Sequence, residues 1–247
     1  MINYLFSIGK KSKEACLKKI DIKTKNKVLI RYANLIKKNK NKILKENLKD
    51  LSFAKKKNLK QNLIDRLELD QKKYNGIIKS INIITKLKDP INRILLKWKR
   101  PNGLIIKRVT IPLGVLAAIY ESRPNVTSDI SCLCFKSGNP VILKGGSEAF
   151  YTNKILANLF RKSLKENKVN PNFVQLINTK NRKVVDILLS RMSKFIDMVI
   201  PRGGKNLVKK VQKLSKVPII GHLEGICHTY VDKFANLKMA INIIHNA

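Results

Sequence analysis

Three turns in this chain carry the residue types and spacings that could do chemistry. Lys144-Gly145-Gly146-Ser147-Glu148 follows the apolar run Val141-Ile142-Leu143, and Pro201-Arg202-Gly203-Gly204-Lys205 follows the apolar segment Phe195 to Ile200. Each reads as the end of a buried strand opening into a helix, which leaves unpaired backbone N–H groups and the positive end of a helix dipole facing the space beyond the sheet. Anions and hydroxyl-rich ligands bind in such places, and two such turns on one sheet edge could grip the two ends of a dinucleotide. Taken singly, a Gly-Gly turn is equally an ordinary connection, and Lys144 is equally a lysine whose stem is buried while its head snorkels to water. The third turn, Glu121-Ser122-Arg123-Pro124-Asn125, ends the run Gly114 to Tyr120. A polar cluster at the carboxyl end of a strand is where open α/β sheets bind ligands, with a plain surface loop as the alternative.

The elements that must position these turns follow from periodicity. Gly114 to Tyr120 is apolar without helical gaps, as in a strand buried on both faces of a parallel sheet. Val126 to Lys136 predicts a helix with Val126, Ile130, Leu133 and Cys134 on one face, stopped by Ser137-Gly138-Asn139-Pro140. A strand over 141–144, a helix near 149–166, a strand near 173–177, a helix over 183–191, a strand over 195–200 and a helix through Leu207, Val208, Val211 and Leu214 continue the alternation. Strands at 217–220 and 229–231 and a last helix from Leu237 complete it. Strands alternating with helices of this length imply crossover units and a mostly parallel sheet. Upstream, Val28, Leu29, Tyr32, Leu35 and Ile36 repeat at helical intervals, and so do the apolar residues between Leu63 and Ile84, with Asp70 as a cap between two helices. Asp89-Pro90 breaks that pattern, and the apolar segment 104–111 reads as a strand that needs a partner strand or subunit. The fold class is therefore α/β, a Rossmann-like, mostly parallel sheet flanked by helices, with a helical region over 1–100 and an α/β region over 101–247.

Composition bounds the rest. The 247 residues are 44% hydrophobic, enough for a genuine core. Lys+Arg number 52 against Asp+Glu 16, a formal charge of +36 that would attract polyanions and enhance capture of phosphorylated small molecules. The lysines are dispersed, aromatics are only 6%, and no zinc-finger or aromatic RNA-binding motif occurs, so no specific nucleic-acid partner is expected. Cys16, Cys132, Cys134 and Cys227 form no CxxC pair, which fits a reduced, cytoplasmic setting. His222, His228 and His245 lack metal-motif spacing, and no metal is expected. No apolar run approaches ~18 residues and the N-terminus lacks a signal-peptide order, so neither a membrane nor export is expected.

The stretches VTIPLGVLAAIYESRPNVTSDISCLCFKSGNPVILKGGSEA, IDMVIPRGG and EGICHTYVD, supported by LIDRLELD and LKDPI, resemble the gamma-glutamyl phosphate reductase family, a branch of the aldehyde dehydrogenase superfamily. The resemblance covers essentially the whole chain. It implies an NADP(H)-binding region over 101–247 and NADPH-dependent reduction of L-glutamyl 5-phosphate to L-glutamate 5-semialdehyde with release of phosphate, a step of proline synthesis. It makes Lys144 the ribose-binding lysine, puts Gly146 in its turn, and sets Gly203 and Gly204 near the cofactor pyrophosphate. Many NAD-preferring relatives carry a glutamate three residues beyond that lysine; here the position is Ser147, with Glu148 next, which favours a 2′-phosphate. Arg123 and Asn125 fall on the substrate-side loop, one suited to a phosphate or carboxylate and the other to a developing oxyanion. His222, with Glu224 nearby, stands where the superfamily has a water-activating glutamate.

One departure bears on activity. The family's nucleophilic cysteine follows an N-A-K-T-Q-R-P-x-V-C motif whose first two letters are Asn246-Ala247, so the thiolate and its catalytic domain are expected beyond Ala247, and no catalytic residue is assigned within the chain. Cys227-His228 is no substitute, since neighbours on a strand point to opposite faces. The chain alone is expected to be inactive. The resemblance implies a homo-oligomer, and it allows for a missing C-terminal half. Two rival readings stay open: a non-catalytic truncated remnant or half of a split enzyme, and a basic nucleic-acid binder.

Overall fold

Leu116 to Tyr120 forms a strand with every residue buried, and the layers are laid down on either side of it. The computed structural model describes residues 1–121, 123–221 and 227–246. In chain order come helices α1 (Ile2–Cys16), α2 (Ile22–Lys38), α3 (Lys40–Lys56), α4 (Gln61–Leu67) and α5 (Gln71–Lys86), then a hairpin of β1 (Ile94–Lys99) and β2 (Ile105–Val109). The units β3 (Leu116–Tyr120), α6 (Pro124–Lys136), β4 (Val141–Gly145), α7 (Phe150–Glu166), β5 (Val174–Leu176), α8 (Lys183–Arg191), β6 (Met198–Arg202) and α9 (Lys205–Leu214) follow, with α10 (Leu237–His245) last. The main sheet is parallel in the order β5-β4-β3-β6.

Alternation along β3 divides the core in two. Leu116, Ala118 and Tyr120 join α2, α5, α6 and α7 on one face, while Ala117 and Ile119 meet Leu5 and Ile8 of α1 and Val184 to Leu189 of α8 on the other. At the amino end of the sheet the Asp197 carboxylate accepts the Val115 N–H at 2.7 Å and the Lys13 ammonium at 2.7 Å, tying α1 to both β3 and β6. Gly114 there has φ +114°, and a Cβ on it would stand 2.2 Å from the Asp197 carboxylate, so both backbone sign and space require glycine.

Polar groups join the helical region to the sheet. Asp50 of α3 is buried, and its carboxylate accepts the Tyr151 N–H at 3.0 Å, the Thr152 N–H at 2.8 Å and the Thr152 hydroxyl at 2.7 Å. Asn47, one turn earlier on α3, bonds Thr152 and both the Leu67 carbonyl and the Leu69 N–H. Asp70 accepts the Lys73 N–H and caps α5, as the sequence pattern implies.

Several expectations are corrected. The segment 104–111 does find a partner strand, but that partner is β1, so the first hundred residues are not wholly helical. Helix α6 starts at Pro124, because proline at the first helical position lacks only an N–H that would be unpaired anyway. Leu133 points outward; Thr127, Ser128, Ser131, Cys132, Cys134 and Phe135 make the buried face. Residues 217–220 contribute only the bridge Val199–Ile219, and 229–231 form no strand: without a ladder partner the segment stays irregular and exposed, Tyr230 at 84%. A 3₁₀ turn, Ser147–Ala149, precedes α7.

Asp50→Ala strands the buried Thr152 N–H and the half-buried Tyr151 N–H at the start of α7 and is expected to cost roughly 2–4 kcal/mol. Asp50→Asn, which keeps one acceptor, should cost less; urea midpoints for the two variants check the order.

Candidate functional site

Register decides where the glycine turns lie. Tyr120, the last residue of β3, is opposite Gly145 on β4 and opposite Arg202 on β6, so both turns leave the sheet on one rim at one height. The strand order β5-β4-β3-β6 reverses direction between β3 and β6, with α6 and α7 on one face and α8 and α9 on the other. That reversal opens a crevice beyond the strand ends, where doubly wound sheets take their ligands.

Lys144 lies just below the rim, 5% exposed, its Nζ donating to the Gly145 carbonyl at 2.8 Å. Burial pushes its pKa down, the Glu148 carboxylate pulls it back up, and Arg182 adds to the lowering. Beneath the turn the Tyr120 phenol meets Thr127 at 2.7 Å, and Thr127 donates to Asn153 at 2.7 Å. A Cβ on Gly145 would stand 2.3 Å from the Asn153 amide and 3.1 Å from the Tyr120 ring, so this hydrogen-bonded floor holds the backbone close.

The two predicted anion cradles differ. At the first, the N–H groups of Tyr151 and Thr152 are already taken by Asp50, which leaves Lys144, Ser147 and the 3₁₀ turn to face a ligand. At the second, the Glu121 carboxylate accepts the Gly204 N–H at 2.9 Å, and a Cβ on Gly203 would stand 2.6 Å from Glu121 Cδ. A side-chain anion thus stands on the start of α9 where a ligand anion would, so the turn has the geometry to take a phosphate that displaces Glu121. These residues fit a dinucleotide: amides for a pyrophosphate at one end, a lysine and a serine for a ribose at the other.

Glu148 alters the reading of Ser147. Its Oε1 accepts the Ser147 hydroxyl at 2.7 Å and Arg182 Nη2 at 3.3 Å. A carboxylate therefore stands beside Ser147 even though the sequence position itself carries none, and a guanidinium offsets it.

Arg123 and Asn125 line a separate cleft of about 430 Å³ between α5 and α6, together with Arg66, Lys73, Ser80 and Asp129. The Asn125 amide donates to Asp129 at 3.1 Å, and Asp129 accepts the Ser80 hydroxyl at 2.7 Å. Because α6 grows out of the carboxyl end of β3, this cleft adjoins the rim without sharing residues with the glycine turns. Cys132 and Cys134 pack in α6, burial holding both thiols neutral, Cys134 with its pKa pushed up to about 12. Cys16 is half-buried near Asp197 at the opposite end of the sheet, its thiol also pushed up by burial. Cys227 is exposed outside any element, and His222 and Glu224 lie outside the described residues. Among the described residues no helix is long and apolar enough to cross a membrane.

Sequence reasoning missed Asp50 and Arg182, each brought in across a long loop of chain, and the Thr127–Asn153 floor. Glu121 was visible in the polar turn, but not its bond to Gly204.

The layers and the strand order are those of an aldehyde dehydrogenase-type α/β fold. A probable aldehyde dehydrogenase from Listeria monocytogenes superposes with a TM-score of 0.68 over 90% of this chain and 46% of its own at 15% identity, a likeness of fold alone. The gamma-glutamyl phosphate reductase of Ruthia magnifica is 46% identical over 99% of this chain and 59% of its own length, and that of Clostridium tetani 46% identical over 99% and 57%. The crystal structure of the Thermotoga maritima gamma-glutamyl phosphate reductase matches with a TM-score of 0.92 at 36% identity over 98% of this chain and 59% of that one. The chain belongs to the gamma-glutamyl phosphate reductase family and spans somewhat over half the length of these relatives. No family model matches it.

Lys144 gives a test of burial. Because its folded pKa is lowered, the cost of holding the ammonium is full below that value and fades as pH rises through it towards the unfolded value of about 10.4. Lys144→Met is expected to be more stable than the parent at neutral pH, with the gap between their urea midpoints closing under alkaline conditions.

Proposed function

We propose that this chain binds NADPH across the crevice between β3 and β6 and supplies the cofactor side of a site that reduces L-glutamyl 5-phosphate to L-glutamate 5-semialdehyde and phosphate. The observation that carries the reading is the Glu121 carboxylate held on the Gly204 N–H, an anion already seated at the strand-order reversal on the same rim as Lys144. The named relatives support the reaction class. When bound, the dinucleotide supplies a hydride. Gly203 and Gly204 present backbone amides to its pyrophosphate, and Glu121 gives way there. The Lys144 ammonium and the Ser147 hydroxyl hold the adenosine ribose, with Gly146 keeping the backbone between them free of a side chain.

On the substrate side, Arg123 offers a guanidinium to a phosphate or carboxylate, and the Asn125 amide steadies a developing oxyanion once it turns from Asp129. The neutral, packed thiols of Cys132 and Cys134 and the distant Cys16 supply no nucleophile to this rim, and the exposed Cys227 belongs to no helix or strand that would aim it there, so the chain by itself binds cofactor without turning substrate over. The exposed apolar residues Ile94, Leu96, Trp98 and Ile105 of the hairpin are the surface for a homo-oligomer contact, and the unpaired cysteines fit a cytoplasmic setting.

Fluorescence titration with NADPH is expected to show binding that Lys144→Ala weakens by about tenfold or more. Unchanged affinity in that variant overturns the assigned site. An assay for semialdehyde is expected to show none, and robust turnover by this chain overturns the statement that it lacks a working nucleophile.

A further inference from the structure

One charge in the proposed cofactor site opposes a 2′-phosphate: the Glu148 carboxylate beside Ser147. Glu148 is 19% exposed in its side chain, and its Oε1 is shared by the Ser147 hydroxyl at 2.7 Å and Arg182 Nη2 at 3.3 Å. Left to itself, a carboxylate there would accept hydrogen bonds from a ribose diol and repel a phosphate, which favours the non-phosphorylated dinucleotide. Arg182 changes that balance. Its side chain is 84% exposed, so the guanidinium reaches Glu148 from the solvent side and keeps most of its five donors for another anion.

The segment that carries Arg182 is pinned at both ends. Asn178 N–H donates to the Tyr4 phenol of α1 at 3.1 Å, and Asn181 caps the Lys183 N–H at 2.9 Å. Between them the Lys180 ammonium sits over three rings, 4.3 Å from Phe53, 4.7 Å from Tyr151 and 5.2 Å from Phe150. Those rings belong to α3 and to the first turn of α7, the same turn that begins after Ser147 and Glu148. The stretch from 178 to 182 is therefore held against the lysine–serine end of the rim by an ammonium in an aromatic box, and Arg182 is delivered to Glu148 as a result.

We infer that Arg182 is the residue that selects the phosphorylated dinucleotide: it neutralises Glu148 and donates to the 2′-phosphate that Lys144 and Ser147 flank. This rests on the proposed cofactor site and adds to it a determinant on a different element. Lys180 is a positioning residue that acts through Arg182.

The test is equilibrium binding of NADPH and NADH, read separately by fluorescence titration, to the parent chain and to Arg182→Ala, Glu148→Gln and Arg182→Ala/Glu148→Gln. Arg182→Ala is expected to lose about tenfold or more in NADPH affinity while NADH affinity holds or rises, a loss of the size of one charge-assisted contact to phosphate. Glu148→Gln should tighten NADPH, and the double variant should recover part of the loss, since the carboxylate that Arg182 offsets is gone. Equal effects of Arg182→Ala on both dinucleotides, or none on either, overturn the role of Arg182 while leaving the cofactor site standing. Failure of the parent chain to bind either dinucleotide overturns both.

Discussion

The structure depends on β3 being held in parallel register by neighbours on both sides. Tyr120 stands opposite Gly145 and opposite Arg202, and those two pairings set the heights of two turns that are almost sixty residues apart in sequence. A slip of one residue on either strand would turn its side chains to the other face, exchanging the residues that face α6 and α7 with those that face α1 and α8. The core therefore enforces the rim. Leu116, Ala118 and Tyr120 fill one layer, Ala117 and Ile119 the other, and neither set suits the opposite packing.

Acidic residues are scarce in this chain, 16 against 52 basic ones, and several occupy positions that basic residues could not. Asp197 gathers a backbone N–H and Lys13 at the amino end of the sheet. Asp50 and Glu121 each accept a backbone N–H at the start of a helix, where the partial positive charge of unpaired amides is greatest. Their burial separates their roles. Asp50 is enclosed and bonded three ways, which makes it part of the scaffold that fixes α3 to α7, whereas Glu121 is exposed and a ligand can replace it.

Local patterns made much of this legible. The spans of α7, α8 and α9, the buried strands β3 and β4, and the Asp70 cap follow from apolar spacing, glycine turns and capping chemistry within a few residues. Partners across the chain were not legible in the same way. The hairpin of 94–99 with 105–109 is local enough for Asn102-Gly103 between two apolar runs to signal it, whereas nothing near 229–231 announces that no ladder awaits it, and the outward turn of Leu133 follows only from where α5 and α7 lie.

By itself the amino-acid sequence determined the alternation of strands and helices, the places where glycine opens a helix, and the residue types at the three turns, because these depend on backbone preferences and periodicity over short windows. Only the tertiary structure decided that one of the two cradles is already satisfied by Asp50, that Glu148 folds back onto Ser147, and that Arg182 arrives from another element to offset it. The physical reason is distance along the chain. Hydrogen bonds and charges act over a few ångströms, so what a turn can bind depends on side chains that only the packing of sheet and helices brings within that range.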